Sequence, residues 1–192
     1  MAQPSSAKHQ HQARLEALPY IADFIAHLAK YKYIRAQLQK VAAALPDEEK
    51  SSLEASALKA QANADPFLEP ISSIFRNHEI TGDKLEHMLE KLTVSSFDTA
   101  SEAAHYISLA VRQVQIDKLK SQPETEDKAA LEKELSDLND KLIDSMLTIG
   151  SSLKHLNFDG PDLDQMKDKV QHACRDIAAQ LGGGAPEGET VH

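Results

Sequence analysis

The chain has 192 residues and a mass of 21.1 kDa, with 41% hydrophobic and 27% charged residues, enough for one substantial core or two small ones. A single Cys and no Trp leave no internal disulfide to form, so nothing calls for an oxidising compartment. No apolar run approaches the roughly 20 residues that span a bilayer, and the polar residues 1–12 lack the apolar centre of a secretory signal.

These features lead to the expectation of a cytoplasmic protein, or one delivered to a cytosol by a non-classical secretion route, with neither signal peptide nor transmembrane segment. Charge is distributed unevenly. Residues 1–45 carry 6 Lys/Arg against 2 Asp/Glu, residues 46–95 carry 5 against 10, and residues 96–192 carry 10 against 18. The net charge of −9 repels phosphate backbones, so no nucleic-acid partner is expected. Only the first segment is basic.

Prolines and glycines recur at helix-length intervals, and no segment alternates apolar and polar residues in the manner of a strand. The expectation is an all-α helical bundle, divided into two helical subdomains with long antiparallel helices. Residues 1–18 are expected to be a polar, partly disordered segment. A helix over residues 19–45 follows, with Ile21, Phe24, Leu28, Tyr31, Leu38, Val41 and Leu45 forming one stripe. The acidic opening Asp47, Glu48 and Glu49 favours a helix over 47–62. Helices over 65–77 and 83–92 complete an N-terminal subdomain of residues 19–95. The β-branched and hydroxyl residues Thr93, Val94, Ser95 and Ser96 suggest a seam near 93–98.

Thr99 and Glu102 have the spacing of a capping box, which predicts a fresh helix start before an apolar run reaching about residue 121. Leu131, Leu135, Leu138, Leu142, Met146, Ile149, Leu153 and Leu156 mark a long helix over 124–156, with a kink expected at Gly150. Leu163, Met166, Val170, Ile177 and Leu181 mark the last, over 162–181. Short connections favour antiparallel neighbours, so residues 96–181 are expected to close a three-helix subdomain. The Gly-, Pro- and Glu-rich residues 182–192 read as a disordered tail.

Nine His residues raise the question of metal. Glu102 and His105 form one Glu-x-x-His, the spacing that puts two ligands on one helix face, but di-iron bundles need a second copy and two further carboxylates. The pair is expected to be partly buried polar structure, and no metal and no other cofactor is expected. Asp83, His87 and Glu90, and likewise Asp168 and His172, lie opposite apolar stripes and read as solvated faces. His9 and His11 lie in the polar segment without acidic neighbours. Cys174 falls inside the last stripe, as a core thiol does. Residues 159–164 lack the ligand spacing of a calcium loop.

The distinctive stretch is Lys30, Tyr31, Lys32, Tyr33, Ile34 and Arg35. Lys30, Tyr33 and Lys40 are expected on the polar face of the first helix, where a tyrosine among lysines can anchor a partner. These three are the candidate partner-binding residues; no catalytic residue stands out. The leading expectation is therefore a non-enzymatic helical protein-interaction module, such as an adaptor, effector, chaperone or assembly subunit. Its partner would be another protein with an acidic surface, or a further copy of the chain. One alternative is a helical-bundle enzyme with a metal or organic cofactor, using Glu102 and His105. A second is peripheral binding to anionic membrane through helix 19–45.

Overall fold

A computed structural model describes residues 4–41, 44–122 and 127–183. Its helices are α1 (Pro4–Val41), α2 (Asp47–Ala62), α3 (Leu68–Asn77), α4 (Gly82–Lys120), α5 (Lys128–Leu153) and α6 (Gly160–Gly183), with 3-10 turns at Asp65–Phe67 and Lys154–Leu156. No strand occurs among the described residues, and the helices pack on one another as an all-α bundle.

The local chemistry accounts for the boundaries. Pro46 precedes α2, and Asp47, Glu48 and Glu49 fill its first turn. The Asp127 carboxylate accepts from the Ala130 N–H at 3.0 Å and starts α5. Between α3 and α4 the chain reverses through two left-handed positions, Glu79 (φ 60°) and Gly82 (φ 58°). Asn157 adopts the same conformation (φ 61°) after the second 3-10 turn, as short polar residues do most readily.

α4 is the central element, packed against α1, α5 and α6. Its contacts give the directions of the neighbours. Lys120 pairs with Glu132 at 3.6 Å while Gln113 donates to Asn139 at 3.2 Å, so α5 runs antiparallel; Arg112 donates from Nε and Nη2 to the two oxygens of Glu134 at 2.7 and 2.9 Å. Tyr106 meets Gln171 and Arg175, while Lys118 donates to the Gly183 carbonyl, so α6 runs parallel to α4. α1 runs parallel as well, since Lys32 meets Ser101 while Ile21 shares a cavity wall with Met88 and Leu92. One buried cluster joins all of these, from Ala13, Ile21 and Phe24 through Phe75, Tyr106 and Ile149 to Met166 and Ile177. α2 packs on α1 through a smaller cluster of Ile34, Ala57 and Ala60.

Three expectations are corrected. First, residues 4–18 belong to α1, and Ala13, Ala17 and Leu18 are buried. Pro19 lies inside the helix, where a lost hydrogen bond and a ring clash cost about 3 kcal/mol. Burial of Ala13, Ala17, Leu18 and Ile21 on both sides of it offsets that cost.

Second, α4 passes through residues 93–98 without a break. Thr93 bonds back along the helix instead of ending it, its Oγ1 donating to the Leu89 carbonyl at 2.8 Å, while Ser96 Oγ is buried without a partner. Third, Thr99 and Glu102 cap nothing. They lie mid-helix, and Thr99 Oγ1 donates to the Ser95 carbonyl at 2.8 Å. Helix α6 also extends to Gly183, two residues past the expected end, whereas residues 184–192 of the expected tail lie outside the described residues. So do residues 1–3 and 124–126.

Candidate partner-binding groove

The C-terminal half of α1 and the middle of α4 diverge enough to leave a groove of about 340 Å³. From α1 it takes Lys32, Tyr33, Gln37 and Lys40; from α4 it takes Ser101 and His105. Tyr33 and Lys40 therefore share a groove with His105, which the sequence offers only as a metal ligand or acid–base group of a cofactor enzyme.

Lys30 departs from expectation. It is 8% exposed and so stands off the polar face on which it was expected. The elements that follow α1 explain this, because His27 stacks on Phe67 with ring centroids 5.2 Å apart and Ile34 packs on Ala57 and Ala60. Lys30 lies between these positions on the same side of the helix, where α2 and the 65–67 turn pack. Tyr33 is half-buried and touches the apolar clusters, and burial pushes its phenol above the ordinary range. Lys40 is exposed.

Lys32 is the groove residue that periodicity did not single out. Its Nζ stands 3.5 Å from the centroid of the Phe97 ring and donates to Ser101 Oγ at 2.6 Å. These two contacts place the ammonium; burial lowers its pKa and Asp98 opposes that shift. Phe97 itself is 46% exposed, which leaves an aromatic face beside a fixed cation.

Glu102 is half-buried and His105 exposed, and only His105 lines the groove. Among the described residues, no three His, Cys, Asp or Glu side chains stand together as a metal set. Asp83, His87, Glu90, Asp168 and His172 are exposed. Cys174 is sealed in the core, and burial pushes its thiol up to about 12, which leaves it no thiolate at neutral pH. The apolar stripe of α1, with Ile21, Phe24, Ile25 and Leu28 all buried, is used up in the interior. None of the described helices is long and apolar enough to cross a membrane.

A second groove, of about 400 Å³, separates α5 from α6, where Ile143 and Leu147 are 61% and 64% exposed above Leu142 and Met146. No protein-family model matches the chain, and no characterised protein or solved structure is significantly similar to it.

Proposed function

We propose that this chain is a non-enzymatic interaction module that takes an acidic segment of another protein into the groove between α1 and α4. The observation that carries the reading is the groove's cationic lining, Lys32 and Lys40 around Tyr33, on a chain whose net charge is −9. The Lys32 ammonium is already oriented by Phe97 and Ser101, so little side-chain freedom remains to be lost on binding. Tyr33 adds a rigid amphipathic surface of the kind that anchors interfaces. Charge of opposite sign across such a contact raises the association rate and selects against basic partners.

The reading differs from the sequence expectation in its residues: Lys30 gives way to Lys32. The test is an array of Glu- and Asp-rich peptides probed with the wild type and with Lys40→Glu. Lys40 is exposed, so its charge reversal leaves the fold intact. Wild-type signals that fade as salt rises and are weakened at least about tenfold in the variant support the proposal. Peptides bound equally by both proteins, or bound without salt dependence, overturn it.

A further inference from the structure

At the opposite end of α1 from the groove, four segments enclose a cavity of about 40 Å³. Its apolar wall comes from Ile21 on α1, Phe75 on α3, Met88 on α4 and Phe158 after the second 3-10 turn. The left-handed Asn157 turns the chain so that Phe158 enters the core, 3% exposed. Three basic side chains share this lining, Arg14, Lys91 and His155, and no acidic residue does. That is an unusual concentration of cations on a chain with 30 Asp/Glu against 21 Lys/Arg.

Arg14 is the decisive residue. It is half-buried, and among the described residues no ion pair or hydrogen bond engages its guanidinium. Burial lowers its pKa with no opposing carboxylate. Partial withdrawal of an unpaired cation from water is unfavourable, and a counter-anion offsets that cost; no nitrogen of Arg14 is fully sealed, so a ligand can reach it. A guanidinium offers two parallel donors that match a carboxylate.

We infer that this cavity is a binding site for a small monocarboxylate with a short apolar chain, its carboxylate on Arg14 and its hydrocarbon against Phe75, Met88 and Phe158. One water needs roughly 10–15 Å³ of such space, so the cavity admits about three small groups, as many as the three carbons of a propyl chain, with the carboxylate left at the Arg14 guanidinium. A bare dianion such as phosphate would leave the apolar wall without a partner. A neutral amide would leave the guanidinium without one. Lys91 and His155, both exposed, stand at the rim and add long-range attraction.

The test is titration of the full chain with sodium butyrate at constant ionic strength, read by methyl NMR of the methionines. Met88 lines the cavity, while Met146 and Met166 lie elsewhere and serve as internal controls. The expected result is a saturable shift of the Met88 methyl alone, with a Kd on the order of a millimolar. Butyramide and inorganic phosphate should each bind at least about tenfold more weakly. Arg14→Met, which keeps the apolar bulk, should weaken butyrate by about tenfold or more without lowering the melting temperature. Absence of saturation by about 20 mM overturns the inference. So does equal binding of butyramide or phosphate, or a shift shared with Met146 and Met166. Should Arg14→Met fail to fold, the wild-type comparison of the three probes decides alone.

Discussion

The same substitution should have opposite signs at two glycines. Gly→Ala within a helix gains roughly 1 kcal/mol from backbone propensity. At Gly150 on α5, a Cβ would stand 2.9 Å from Lys167 Cδ and 3.7 Å from Cγ. That neighbour is the middle of a flexible stem which can swing aside; the most it forfeits is its ion pair with Asp164 at 2.7 Å, worth about 0–1 kcal/mol. Gly150→Ala should therefore stabilise by about 0.5 kcal/mol. At Gly182 on α6, the new Cβ would meet both Cβ and Cγ1 of Val114 at 2.9 Å and the Val111 carbonyl oxygen at 3.3 Å.

A β-branched side chain on a helix has essentially one χ1 choice, and a backbone carbonyl cannot step back. Overpacking of this kind costs about 1–3 kcal/mol and outweighs the propensity gain, leaving a net loss of about 1 kcal/mol. Urea unfolding would show the midpoint rising for Gly150→Ala and falling for Gly182→Ala at unchanged slope. Near 190 residues, each kcal/mol corresponds to roughly 2–4 °C in melting temperature. Adding Val114→Ala to Gly182→Ala should restore part of the loss by removing the Cγ1 collision. Midpoints moving the same way for both glycines would refute the steric reasoning, as would a double variant no better than Gly182→Ala.

Three further outcomes follow from the core. Tyr106 is fully buried, and its hydroxyl accepts from Gln171 Nε2 at 3.2 Å and Arg175 Nε at 3.0 Å. Tyr106→Phe should cost about 1–2 kcal/mol in equilibrium unfolding, because both donors lie near the surface and can turn to water; a neutral result would mean the pair contributes nothing. His27 has its Nδ1 sealed without a partner, and burial, aided by Lys30 and opposed by Asp23, holds its pKa below the ordinary imidazole range. The unfolded chain therefore takes up that proton first as pH falls, so stability should drop from about pH 7 through the ordinary imidazole range and then level off below the folded pKa, and a His27→Leu variant should lack that slope in a urea-midpoint titration. Asp23 has its pKa raised by burial, so the native state resists ionisation there, and Asp23→Asn should raise the midpoint at neutral pH while leaving it little changed well below the ordinary carboxylate range.

The helices with a single regular stripe were legible from spacing alone. Met166, Val170, Cys174 and Ile177 of α6 all lie in the core, while the helix over 47–62, read instead from its acidic opening, coincides with α2. What periodicity could not convey was which side of α1 would be covered. Lys30 reads as a surface residue until α2 and Phe67 are placed against that side. The expected break near residue 93 is absent for a related reason. Thr93 and Thr99 weaken an isolated helix, but the burial of Leu92, Ala100 and Ala103 within the bundle outweighs local propensity, and the back-bonded hydroxyls need no other partner. Ala13 and Ala17, set among polar neighbours, give little hydrophobic signal, although alanine permits close helix approach. Arg14 follows from them: its half-burial depends on Phe75 and Phe158, which are distant in sequence.

The parallel course of α1, α4 and α6 bears on the order in which the chain can acquire structure during synthesis. A helix cannot run parallel to its neighbour without an intervening return, so α1 meets α4 only after α2 and α3, and α6 only at the far end of the chain. At roughly 5–20 residues per second, the interval between completing residue 41 and beginning residue 160 is on the order of ten seconds. Throughout it, the side of α1 carrying Asp23 lacks the helix whose Lys169 and Asp176 will flank that carboxylate. The α4–α5–α6 hairpins close over short distances, whereas the contacts of α1 span most of the chain and are slow to form. Helix α1 emerges before the helices that cover it, and a nascent chain stopped short of residue 160 presents an apolar α1 surface to whatever chaperone or neighbouring chain is at hand.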